Sequence, residues 1–156
     1  MDIKPVLFSH EYFMKAAINE ALKAYDTGEI PVGAVIVWKN QIIGRGHNLT
    51  ETLNDPTAHA ELQAITAATN SIGGKYLTDC TMYVTLEPCI MCAGACYWAQ
   101  LGAVIYAASD EKRGYSTVSS NILHPKTKVI KGIMKEDGEK ILGEFFKKIR
   151  EASRRK

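Results

Sequence analysis

The period of the apolar positions changes repeatedly along the chain, and each change marks an element. "SHEYFMKAAINEALKAYDTGE" is alanine-rich, opens at Ser9 as a capping residue and stops at Gly28, which predicts a first helix. "VGAVIVWK" and "IIGRGHN" are β-branched runs on either side of Asn40-Gln41, which reads as a hairpin turn. The turn-rich "TETLNDPT" separates them from "AHAELQAITAATN", whose Leu62, Ile65 and Ala68 recur at helical spacing. "TMYVTL" predicts a strand, and "PCIMCAGACYWAQ" predicts a helix with Pro88 in its first turn. "GAVIYAA" is a further strand. Residues 109–125 are irregular, a short strand lies near Val129 and Ile130, and a last helix begins at about Glu136. A hairpin followed by strands alternating with helices predicts a three-layer α/β/α fold around a mixed five-stranded sheet.

Composition narrows the class. The 156 residues, 46% hydrophobic and 23% charged, predict one domain spanning 1–156 with a real core. No apolar run approaches the roughly 20 residues that a membrane helix needs. "MDIKPVLFSHEYF" has neither the apolar centre nor the cleavage site of a signal peptide, so a cytoplasmic chain with reduced thiols is expected. The net charge is only +2, but "FFKKIREASRRK" holds six basic residues against one acid. Such a tail suits a polyanion; it also suits the solvated C-terminal end of a helix.

The chemistry begins at Cys89 and Cys92. Residues three apart share a helix face, so two thiolates there can converge on one ion. A redox couple or two buried core thiols would use the same spacing, although the flanks of a thioredoxin-like site are absent. A third ligand is needed, and four histidines are available. His10 sits beside a helix cap, His47 ends a strand and His124 precedes Pro125 in a loop. His59 opens a helix and is followed two residues later by Glu61.

"HAE" together with "PCIMC" is the H-x-E…P-C-x-x-C signature of zinc nucleobase deaminases. With "EIPVGAVIVWKNQIIGRGHN", "NDPTAHAE" and "TLEPCIMCAGACYWAQLGAVIYAASDEKRG", the chain resembles the bacterial tRNA-specific adenosine deaminases of the cytidine-deaminase-like superfamily, from about Glu11 to Arg150. The resemblance implies one Zn2+ per subunit on His59, Cys89 and Cys92, with an open fourth position for water. It implies Glu61 as the proton carrier. It further implies substrate contacts from Asn48, Asp110, Ile30 and Val32, tRNA contacts from Phe145, Phe146 and Arg150, and a homodimer around one tRNA loop. The expected reaction is deamination of adenosine to inosine at the wobble position of a tRNA anticodon.

Two other readings stand beside it. "HAELQAI" and the adjoining "TAATNSIGGKYLTDC" are similar also to guanine and cytosine deaminases, so a free nucleobase is an alternative substrate. The segment between Asn121 and Ile130 is short for a tRNA enzyme, and Asp137-Gly138 stand where a Glu-Cys pair is frequent. A non-catalytic structural zinc module is the other reading. It would recruit Cys96, four residues after Cys92, as a fourth ligand, and it leaves Glu61 without a task. Cys80, just before a strand, reads as a small buried residue.

Overall fold

A computed structural model describes residues 4–155, so Met1 to Ile3 of the N-terminal stretch and Lys156 of the basic tail lie outside the described residues. In chain order the elements are α1 (His10–Asp26), β1 (Gly33–Trp38), β2 (Gln41–His47), α2 (Ala60–Ile72), β3 (Thr81–Leu86), α3 (Ile90–Ala99), β4 (Ala103–Ala108), β5 (Lys128–Lys131) and α4 (Lys135–Arg154). A 3-10 turn covers Tyr115–Thr117.

The sheet order is β2-β1-β3-β4-β5. β1 is antiparallel to both β2 and β3, whereas β3, β4 and β5 are parallel. Helices cover both faces. Phe13, Met14, Ala17 and Ile18 of α1, with Ile141 of α4, pack on Val35, Val37, Tyr83 and Ile105. Ala60, Ala64 and Ala68 of α2, with Ala93 and Cys96 of α3, pack on Ala34, Ile36, Met82, Val84 and Val104. The expected three-layer α/β/α arrangement around a mixed sheet is the one observed.

These directions bring the site together. β1 begins, and β2, β3 and β4 end, at one rim of the sheet, as the pairs Gly33↔His47, Ala34↔Val84 and Leu86↔Ala108 require. Residues flanking those strands on that side are Ile30 and Val32, Asn48, Cys89, and Asp110. Ligand sites of α/β sheets form where strands end in this way.

Two sequence expectations are corrected, and the packed face of α2 is now defined. The hairpin turn is Lys39-Asn40, with φ of 49° and 62°, and Gln41 already belongs to β2. Both turn residues are left-handed, as a two-residue hairpin matched to strand twist demands. Pro88 stands before α3 rather than inside it, because Cys89 is the cap, extended at φ −71° and ψ 173°. The face of α2 against the sheet is Ala60, Ala64 and Ala68, with Ile65 at its margin. The cause is β2: a Cβ at Gly44 or Gly46 would run into the carbonyl oxygens of Ala64 and Ala60, so helix and strand lie too close for larger side chains.

Candidate metal and active site

α2 and α3 both start at this rim, and each start supplies part of the site. His59 is the residue capping α2, extended at φ −77° and ψ 156°. Cys89 holds the same position on α3, and Cys92 lies in the first turn behind it. The Nδ1 of His59 is 3.6 Å from the Sγ of Cys89 and 3.5 Å from the Sγ of Cys92. His59, Cys89 and Cys92 form a group whose ligand atoms all lie within 4.8 Å of one another, enough to hold a metal ion. A tetrahedral zinc with Zn–S of about 2.3 Å and Zn–N of about 2.0 Å separates sulfur from nitrogen by roughly 3.6 Å. The observed triangle fits that ion.

The charges of this cluster follow from its contacts. The thiol of Cys92 donates to Cys89, which with the help of His59 brings the Cys89 thiol down to about 4 against the pull of burial. The same bond, together with burial and the nearby Glu61, pushes the Cys92 thiol up. Its hydrogen bond to Cys89 raises the His59 imidazole above its ordinary value. A metal ion takes thiolates and a neutral imidazole as ligands, so its binding here would release protons.

Glu61, one residue into α2, is only 4% exposed. Burial raises its carboxyl above the ordinary range, the Cys89 thiolate adds to the effect, and His59 opposes it. A buried carboxyl tuned upward beside a cluster of metal ligands is suited to exchange protons. Cys96 is fully buried in the α2 and α3 core, with its Sγ 4.0 Å from the Sδ of Met82. It packs against the sheet and is not part of the ligand group. Cys80 is likewise a buried core thiol.

The remaining sequence candidates divide. Asn48 is buried, donates from Nδ2 to the carbonyl of Ile30 at 3.2 Å, and accepts the N–H of Thr50 at 3.1 Å. One N–H and one lone pair of that amide are left to serve a ligand. Ile30 is half-exposed at the rim and Val32 packs beside the α2 core. Asp110 accepts the N–H groups of Lys112 and Arg113 on Oδ1, which closes a tight turn. Phe146 and Arg150 lie exposed along α4. Phe145 does not join them: it is buried, edge-on to Tyr25 of α1 at 5.9 Å, so its ring packs α4 onto α1 and is not presented to a nucleotide.

Sequence reasoning misses the buried carboxylates of Glu29 and Glu87. Glu29, fully buried, accepts the N–H groups of Glu51 and Thr52 and the hydroxyl of Thr52, at 2.9, 2.7 and 2.6 Å. Glu87, 4% exposed, binds the loop that carries Asp110. Both stand within motif stretches of the sequence, "EIPVG" and "LEPC", with Glu87 directly before Pro88 and Glu29 two residues before Pro31.

Comparison with known proteins agrees with this geometry. The family model for the cytidine and deoxycytidylate deaminase zinc-binding region matches residues 8–108. The tRNA-specific adenosine deaminase of Aquifex aeolicus (strain VF5) is 45% identical over 146 residues, covering 90% of this chain and 95% of the relative. A structure from studies of A-to-I editing by tRNA:A34 deaminases at the wobble position superposes with a TM-score of 0.78 at 36% identity, over 84% of this chain and 99% of that one. Guanine deaminase from Bacillus subtilis gives 0.64 at 43% identity, over 75% and 78% respectively.

Proposed function

The chain belongs to the cytidine and deoxycytidylate deaminase zinc-binding family, and from that premise we propose that it deaminates adenosine to inosine at the wobble position of a tRNA anticodon. The reaction type is carried by one observation, the triangle of His59, Cys89 and Cys92 closed by a buried Glu61. The choice of a tRNA rests on the Aquifex aeolicus relative, similar along nine-tenths of the chain.

His59, Cys89 and Cys92 would hold the ion. Zinc supplies Lewis acidity, which lowers the pKa of a water molecule to about 7. Water adds to C6 of the adenine, and Glu61 carries the proton it loses to N1. Glu61 then takes the second proton from the new hydroxyl and delivers it to the amine. The C6–N bond breaks, a carbonyl forms, and ammonia leaves. Asn48, held against Ile30, and Val32 border the space for the base, and Asp110 stands across the rim from them. The target base must leave its stack to enter, which is easiest in a single-stranded loop. Phe146, Arg150 and the cations of α4 would meet the surrounding RNA.

The working unit is a homodimer. Ile90, Tyr97 and Trp98 of α3 are exposed, Trp98 at 76%, and aromatic groups of this kind are enriched where protein surfaces meet. With a tRNA as substrate the cytoplasm is the expected compartment; among the described residues no helix is long and apolar enough to cross a membrane.

Free guanine is the second reading, supported by the 43% identity to the Bacillus subtilis guanine deaminase. One experiment tests both: purified protein is incubated with tRNA transcripts and, separately, with free bases, and inosine and ammonia are measured. Inosine at position 34 of a tRNA is expected. Ammonia from guanine, with no inosine in any tRNA, would overturn the proposal.

A further inference from the structure

Glu87 occupies the single residue between the end of β3 and the Pro88-Cys89 turn. Its side chain reaches into the loop after β4. Oε1 accepts the N–H of Asp110 at 3.2 Å, while Oε2 accepts the N–H of Ser116 at 3.1 Å and its hydroxyl at 2.7 Å. The two oxygens thus grip the two ends of one loop. The loop is fitted around the carboxylate, since a Cβ on Gly114 would collide with it. Backbone contacts join the same parts: Tyr115 donates to the carbonyl of Pro88 at 2.9 Å, and Gly114 forms a β-bridge with Cys89.

Burying a charge at this place needs several donors to offset the loss of water, and the loop supplies three. An apolar side chain would fill the same space and would fix neither end of the loop. Asp110 and the N–H groups of Lys112 and Arg113 already make the intervening turn a unit, so what remains to be set is where that unit stands.

We propose that Glu87 is a positioning residue that locks the Asp110 loop to the cysteine turn, so that nucleotide and metal ligands keep a fixed spacing. It does not touch the reacting atoms. The inference rests on the deaminase reading for its kinetic consequence, but not for its structural one.

Glu87→Gln tests it, because an amide offers one acceptor oxygen and turns its NH2 group toward another donor. Three quantities are read on the zinc-loaded protein: amide hydrogen exchange, zinc content by elemental analysis, and kinetics on an anticodon stem-loop RNA. Exchange across 110–117 is expected to accelerate by about tenfold or more while β3, β4 and α1 are unchanged. Zinc should stay stoichiometric, and KM for the stem-loop should rise about tenfold, outpacing any fall in kcat. Ser116→Ala, which deletes one of the three donors, should move both readouts the same way by less, and it serves alone if Glu87→Gln does not fold. Unchanged exchange in 110–117 overturns the proposal. So does acceleration spread over every element, or a loosened loop with KM and kcat as before. If the wild type converts no RNA, the wobble reading fails, and the exchange experiment alone decides the role of Glu87.

Discussion

Glu61 sits out of open water, and that burial raises its carboxyl, as suits the proton carrier proposed for it. Replacing it with Gln keeps the shape and removes the proton carrier, so turnover should fall by about 10²–10⁴-fold with zinc content unchanged. Equal turnover at equal zinc would remove Glu61 from the reaction. Glu29 shows the opposite tuning. Burial alone pushes its carboxyl up, yet the donors from Thr52, Glu51 and Thr50 outweigh it and hold the group below its ordinary value of 4.5. The folded chain then binds that proton less readily than the unfolded one. The resulting stability is present above about pH 4.5 and is lost as pH falls through the lower folded value. Glu29→Gln should therefore unfold at lower urea than the wild type at pH 7, with the difference shrinking below pH 4.5. A constant difference from pH 7 to pH 3 would contradict this. The ligand residues are legible in the sequence because the chemistry fixes their types and spacing. Glu29 and Glu87 are not, because their partners lie more than twenty residues away along the chain.

Between elements, the closest approach is that of α2 to β2. The alanine face of α2 rests on Gly44 and Gly46, and the first turn of the same helix carries Glu61 behind His59. Gly46→Val would force these backbones apart. A loss of about 1–3 kcal/mol in unfolding free energy is expected, together with weaker zinc retention, because His59 moves with its helix while Cys89 does not. Denaturant midpoints and metal content after dialysis against a mild chelator measure the two effects. A variant that loses stability but holds zinc as before would show that His59 is placed independently of this contact. Hydrophobic period alone marks Leu62, Ile65 and Ala68, and it cannot register that the facing strand lacks side chains at Gly44 and Gly46. The position of Pro88 escapes it for a related reason: whether a residue caps a helix or begins it depends on one ψ angle, and Cys89 has the extended one.

For the molecule as a whole, the basic helix and the exposed face of α3 are separate assets. Deleting Lys147 to Lys156 should raise KM for tRNA at least tenfold at about 150 mM salt, and flatten the salt dependence by roughly 0.7 in log–log slope for each phosphate the tail no longer neutralises. Unaltered KM and slope would assign the tail to solubility. Phe145 survives that truncation, which matters because it fastens α4 to Tyr25. Its burial could not be foreseen from "FFKKIR", where either phenylalanine could face inward until α1 is in place. Trp98→Glu should shift the sedimenting species from dimer to monomer; a dimer that persists would move the interface elsewhere.

The left-handed Lys39-Asn40 turn lies on the rim opposite the metal ligands, where the hairpin reverses. The metal-ligand group, and the residues proposed to meet the base, hang from one side of the sheet, away from this turn. That polarity makes the enzyme a plug with a handle: a tether, a reporter or a second protein spliced at this corner would ride along without entering the reaction chamber.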